Sequence, residues 1–271
     1  MSALTFHLKH VPEQRLDMSP LVCQNLRGRT ADEIRSMTLD CGGSRVPVGE
    51  LFDLSGSDCE DIVIEKACDR MDCVGRGLDG GRITVHGDVG AYAGMQMRRG
   101  EIVVRGSAGV LAGCEMGGGT LRIRGDCGDY LGGARSGNRR GMRGGTILVR
   151  GSVGVRAGDQ MRRGKILIEG DAGDYLGSRM IAGTIAVMGR TGRHVGYAMA
   201  RGTILLWRKT TIGANFANCG SHTATFLALL FASLRGYESR LADPDHEFHR
   251  VQRYAGDLAR GGLGEILIRL Q

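Results

Sequence analysis

The side chains best placed to do chemistry in this sequence are arginines at regular intervals. Arg105, Arg124 and Arg150 each follow a short run of alternating apolar residues, and Arg139 and Arg140 lie between the last two of them. The equivalent position elsewhere is taken by His86, Glu169, Met188 and Trp207, and further arginine pairs occur at Arg98/Arg99 and Arg162/Arg163. A guanidinium is a planar fork of donors suited to carboxylates and phosphates. Stacked arginines repel one another unless something anionic lies across them, so this row suits an acidic partner surface or a polyanionic cofactor; a hydrated basic face is the plain alternative. Aromatic residues are not interleaved with the row, which argues against nucleic acid.

Other candidates carry less. His246-x-x-His249, beside Asp243 and Asp245, has metal-ligand spacing but no third close ligand, and reads as a solvated helix face. Cys68 and Cys73 match no zinc or cluster motif. A recurring G-x-x-G-x-x-x-G imitates a phosphate loop, yet no helix follows it. Nothing marks a nucleophile elbow. We find no catalytic constellation and no metal site, and expect a non-catalytic chain.

The elements that position the arginines repeat. The glycine closing each apolar run falls at Gly87, Gly106, Gly125, Gly151, Gly170 and Gly189, with Arg208 in the seventh place. Every interval is 19 residues except the one from 125 to 151, which is 26. Self-similarity at such a period marks a solenoid. Apolar residues alternate within each copy (Ile83/Val85, Ile102/Val104, Leu121/Ile123, Ile147/Val149, Ile166/Ile168, Ile185/Val187, Ile204/Leu206), the pattern of a strand with one buried face. Nineteen residues this rich in glycine leave no room for a packed helix. The predicted fold is therefore all-β, a right-handed parallel β-helix of about seven coils stacked about 4.8 Å apart. The glycines are expected at positive-φ bends, Gly125 among them. Met97, Met116, Met142, Met161, Met180 and Met199 keep the same register and line the inside of the coil as flexible filler. The middle outward row (Thr84, Val103, Arg122, Leu148, Leu167, Ala186, Leu205) is apolar enough to need a cover, from the C-terminal helices or another subunit. The seven additional residues cannot be absorbed in the stack, so a loop around 135–143 must leave from a corner.

The run G-x-[IL]-x-[VI]-x-G-x-x-G-x-x-x-G, with a methionine before the next glycine, resembles the GXGXG β-helix in the C-terminal domain of the glutamate synthase large chain. It is more similar still to the C subunit of formylmethanofuran dehydrogenase and of the related formyltransferase/hydrolase complex. Val48-Gly-Glu-Leu-Phe-Asp-Leu, before the repeats, and the ending Arg253-Tyr254 … Gly262-Leu-Gly264-Glu265-Ile266-Leu267 share that likeness. The resemblance implies a structural subunit of a cytoplasmic one-carbon complex, with A-, B- and D-type chains as partners. In the formyltransferase/hydrolase version, a formyl group passes from tetrahydromethanopterin to a methanofuran-type carrier and is hydrolysed to formate. In the tungsten or molybdenum dehydrogenase, another subunit holds the metal and pterin. The carrier's tail can bear glutamates, which would make Arg105, Arg124, Arg150, Arg139 and Arg140 its contacts. No cofactor is expected to be bound by this chain alone. A glutamate synthase-like β-helix subunit is the rival reading. A hexapeptide acyltransferase needs 18 residues per coil and is disfavoured by the 19-residue stride.

The chain divides by pattern into an N-terminal α+β module (1–60), the repeats (61–210) and a C-terminal cover (211–271). Leu4–Leu8 reads as an edge strand and 13–29 as irregular. Thr30-Ala-Asp-Glu33 is a capping box for a helix through about Met37. Short strands follow at Thr38–Asp40 and Arg45–Val48, and Asp61–Glu65 reads as a degenerate first coil. Toward the C-terminus, Phe226, Leu227, Leu230, Phe231 and Leu234 predict one helix. Asp243-Pro244 predicts the start of a second, with Phe248, Val251, Tyr254 and Leu258 inward, and Glu265–Leu270 a last strand. The net charge is +7, with 32 arginines against 4 lysines. No hydrophobic leader or membrane-length apolar run is seen. The eight cysteines show no paired spacing, as expected of free thiols in a reducing cytoplasm.

Overall fold

The computed structural model describes residues 2–270. It is mostly β, built on a 13-stranded, largely parallel sheet. The repeats supply β8 (Asp79–Gly87), β9 (Arg99–Val104), β10 (Thr120–Ile123), β11 (Arg143–Val149), β12 (Arg163–Ile168), β13 (Thr184–Val187) and β14 (Arg201–Leu206). Each is parallel to the next, and the register follows the stride: Ile83 opposes Ile102, Leu121 opposes Ile147, and Ile185 opposes Ile204. The 26-residue step therefore costs the ladder nothing. A second line of parallel bridges joins Val89, Ala108, Cys127, Val153, Ala172 and Thr191. Beside it the side chains form a ladder of their own. The Ser107 N–H donates to Asp88 Oδ1 at 2.7 Å, and the Asp126 N–H donates to Ser107 Oγ at 3.1 Å. Ser152 on Asp126, Asp171 on Ser152 and Arg190 on Asp171 continue it.

Both faces of this sheet have cores. On one, the alternating Ile/Val/Leu ladder and all six register methionines are completely buried, which is how the flexible thioether fills the gaps between aliphatic rows. On the other, Leu148, Leu167, Ala186 and Leu205 are buried beneath Leu227, Phe231, Leu234, Leu241 and Phe248. The C-terminal segment is thus the cover for that half of the outward row.

Glycine serves two distinct needs. Gly113 takes a positive φ of 63°, and a Cβ there would sit 2.3 Å from Ile147 Cδ1. Gly125 does not have positive φ, contrary to expectation. It is required because a Cβ would lie 2.8 Å from the Gly106 carbonyl carbon in the preceding repeat. Much of the left-handed backbone falls instead on larger residues such as Tyr92, Leu111, Tyr130 and Tyr175 (φ 59° to 64°).

The ends of the chain depart furthest from expectation. The strand β1 (Ala3–Leu8) is not an edge: it runs parallel to β6 (Asp58–Ala67) and antiparallel to β5 (Phe52–Ser55). Leu4 stacks on Ile62, and Ile62 on Ile83. So β6, which contains Asp61–Glu65, is a further parallel strand of the ladder, and β1 adds another before it. Residues 13–29 hold β2 (Leu16–Asp17) and the short helix α1 (Cys23–Leu26). The Thr30 capping box forms as read, on α2 (Ala31–Ser36), followed by the hairpin β3 (Thr38–Cys41) and β4 (Ser44–Pro47). The four-residue helix α3 (Val48–Leu51) leads into β5, and β7 (Met71–Asp72) pairs with β2.

Past the repeats, β15 (Ala217–Thr223) precedes α4 (Phe226–Ala232). The latter buries Leu227 and Phe231 but leaves Phe226 exposed. The second predicted helix is absent. Asp243 caps a single 3₁₀ turn, Pro244–His246, and the chain then extends as β16 (Arg250–Gly256), antiparallel to β17 (Leu263–Arg269). His246 and His249 therefore share no helix face. Pairing with β17, itself parallel to β14 with Ile266 on Ile204, satisfies the backbone of 250–256 in place of helical bonds, and tertiary context overrides the local period.

Candidate functional site

The arginines fall into two settings. The row is built by the strands: Arg105, Arg124 and Arg150 donate their backbone N–H to Val85, Val104 and Ile123 O, each at 2.9 Å. They are thus stacked on successive rungs, exposed at the strand ends. Among the described residues none of the three forms an ion pair; Arg150 Nη2 donates to Glu238 O at 3.3 Å. Arg124 and Arg150 line a cleft of about 230 Å³ with Arg82, Glu101, Arg122 and Glu238. In it Glu101 is already engaged, accepting from Arg122 Nε at 2.7 Å and lying 3.5 Å from Arg82 Nε. Arg105 stands outside the cleft.

The second setting is the insertion. The ladder bond from Glu115 N–H to Gly133 O and the one from Gly141 N–H to Gln160 O bracket it, so the additional residues are 134–140, looping from a corner. They help to wall a cavity of about 580 Å³, with Tyr130, Asp159, Gln160 and Arg179 opposite. Arg139 lines that cavity; Arg140 lines neither cavity nor cleft, and both are exposed. The structure thus brings Arg124 and Arg150 together and keeps Arg139 and Arg140 apart from them.

Two buried carboxylates organise this corner, and sequence reasoning missed both. Glu115 is 4% exposed. It accepts from Arg135 Nε at 2.9 Å, Asn138 Nδ2 at 2.8 Å and Gln96 Nε2 at 2.9 Å. Burial would raise its pKa, but these bonds and the charge of Arg135 outweigh that and hold it at about 2. Asp159, 1% exposed, accepts from Ser178 Oγ and from both Nε and Nη2 of Arg179. Arg135 and Arg179, whose pKa values are raised first by hydrogen bonds to these partners, are therefore committed to buried carboxylates. For Glu115 the available signal lay in residues that precede a register methionine: Gln96, Glu115, Gln160 and Arg179 make a polar column along an otherwise apolar repeat.

The cysteines are free thiols, and burial pushes Cys114 and Cys127 up to about 12, far from reactive. Among the described residues no group of three or more His, Cys, Asp or Glu is placed to hold a metal ion. No helix among them is long and apolar enough to cross a membrane. What the arrangement offers is exposed guanidinium groups on a rigid frame, suited to binding anionic surfaces.

No family model matches the chain. A chain in the crystal structure of the formyltransferase/hydrolase complex (FhcABCD) from Methylorubrum extorquens, in complex with methylofuran, superposes with a TM-score of 0.91 at 38% identity. The match covers 98% of this chain and 100% of that one. The C subunit of molybdenum-containing formylmethanofuran dehydrogenase 1 from Methanothermobacter wolfeii is 42% identical over 71 residues, 26% of this chain and 18% of that protein. The C subunit of tungsten-containing formylmethanofuran dehydrogenase 2 from Methanococcus maripaludis is 30% identical over 97 residues, 35% of this chain and 36% of that protein. The chain thus matches no more than about a third of the length of these curated relatives. The full-length match at 38% identity places this chain in one family with that chain of the formyltransferase/hydrolase complex, and the partial matches relate the family to the C subunits of formylmethanofuran dehydrogenases.

Proposed function

We propose that this chain is the non-catalytic structural subunit of a cytoplasmic formyltransferase/hydrolase complex that converts formyl-tetrahydromethanopterin to formate through a methanofuran-type carrier. The observation that carries this is the end-to-end match, at 38% identity, to a chain of a complex crystallised with methylofuran. The exposed guanidinium groups held on the strand frame support a binding role in this reading. In this reading the chain winds as a right-handed parallel β-helix over 61–210, the bridges from Val89 to Thr191 forming its second face. Residues 1–60 form the N-terminal module and 211–271 the cover. Arg105, Arg124 and Arg150, with Arg139 and Arg140 at the corner, meet the acidic surface of an A-, B- or D-type partner or the carboxylates of the carrier. Unpaired guanidinium groups are the right donors for either.

The second reading, a C subunit of a molybdenum or tungsten formylmethanofuran dehydrogenase, has the partial matches in its favour. Purifying the native complex and identifying the co-eluting chains by mass spectrometry decides between them. A metal- and pterin-carrying chain in the eluate establishes the dehydrogenase reading, and its absence beside transferase and hydrolase chains the first. Formyl transfer or hydrolysis by the isolated chain would overturn its non-catalytic role.

A further inference from the structure

Beyond Arg150 the row of strand ends changes character. Glu169, Met188 and Trp207 follow on successive rungs, and Arg269 takes the same place at the end of β17. Together they line a cleft of about 780 Å³ at the seam with the C-terminal segment. Arg208 and Lys209 enter it from the turn after β14 and Arg240 from a 3₁₀ turn of the cover, so four cations from three stretches of chain meet there. Among the described residues none of the four forms an ion pair. The one carboxylate in the lining forms no ion pair with them and offsets at most one of the four charges. Glu169 is 9% exposed, and its Oε1 accepts from Ser239 Oγ at 2.7 Å and the Arg240 N–H at 2.9 Å, fastening the cover to the sheet. The Trp207 indole is fixed by donating to His246 O at 3.0 Å and by edge-on contacts with Phe231 and Phe248.

We propose that this cleft binds a small multivalent oxyanion, one bearing two or more phosphate or carboxylate groups on an apolar body that lies against Trp207. Four like charges held together by the fold repel one another, and an oxyanion replaces that repulsion with charge-assisted hydrogen bonds. The volume falls in the range of small-ligand sites, about 300–1,000 Å³. Trp207 is the only tryptophan in the chain, so its emission reports occupancy directly. The full chain is titrated with tripolyphosphate and, separately, with citrate, at constant ionic strength set with potassium chloride. The expected result is a saturable change in Trp207 emission with at least one of the two. Its dissociation constant should rise tenfold or more in both Lys209→Gln and Arg269→Gln, with circular dichroism and melting temperature unchanged. The preferred anion separates a phosphate ligand from a carboxylate one. No saturable change with either anion, or undiminished affinity in folded Lys209→Gln, overturns the proposal. Neither titration depends on assembly of the complex, so this failure is distinct from failure of the functional reading.

Discussion

The insertion corner and the strand-end row are both rich in arginine, yet they use it in opposite ways. At the corner, Arg135 and Arg179 are bound to carboxylates that are 4% and 1% exposed. Along the row, Arg105, Arg124 and Arg150 have no carboxylate partner among the described residues and stand in solvent. A carboxylate taken out of water must be paired and hydrogen-bonded or give up its charge, so the corner arginines are demanded by the fold. Nothing in the interior demands those of the row, which leaves them to whatever binds there. Arg139 and Arg140 share the corner's loop but the row's lack of commitment.

Both regions hang on one ladder of parallel strands, and the largest effect comes from breaking it between them. Gly125→Val drives a branched side chain into the backbone of the preceding repeat. We expect a loss of about 3 kcal/mol or more, read as a collapsed melting temperature or insoluble protein; a variant that melts like the wild type would show that the repeats yield. Next, Arg135→Ala should cost about 2 kcal/mol by stripping hydrogen bonds from a buried carboxylate, measured by urea denaturation. Glu115→Gln sharpens this through pH. The folded pKa of about 2 lies below the unfolded carboxylate value, roughly 4.3. The stabilisation is therefore complete above about pH 4.3, fades as pH falls through that window, and is gone below about 2. The difference in stability between wild type and variant should shrink over that interval; a constant difference refutes the assignment.

The row should behave inversely. Arg105→Gln, Arg124→Gln and Arg150→Gln combined should change folding stability by no more than about 0.5 kcal/mol, yet weaken recovery of partner chains in a pull-down, increasingly at higher salt. A large loss of stability would abolish the contrast with the corner. Smallest of all, Arg139→Ala with Arg140→Ala should leave the melting temperature within a degree or two. Its effect on assembly or carrier turnover, followed across a salt series, decides whether the loop makes contact or is only a solvated loop.

The repeat was legible because it is local. A stride of 19 residues with alternating aliphatic side chains states which residues stack on which, and Ile102 over Ile83 or the completely buried Met161 needed no coordinates. Even the 26-residue step announced its loop. The C-terminal segment was misread for the converse reason. Residues 248–258 carry a helical apolar period, but their backbone partners lie in β17, and only the tertiary structure brings those strands together. Gly125 shows the same limit: its presence was periodic, while its cause, a carbonyl carbon in the repeat before, is a contact 19 residues away.

By itself, then, the amino-acid sequence determined the period, the strand faces, the methionine-filled interior and the arginine row, because each is a property of residue type and spacing along the chain. Only the tertiary structure decided which arginines are free. Pairing Arg135 with Glu115 and Arg179 with Asp159, 20 residues apart in each case, and drawing Arg208, Lys209, Arg240 and Arg269 into one cleft, are matters of distance in space. Electrostatic energy depends on that distance and on burial, and neither is written in the order of residues.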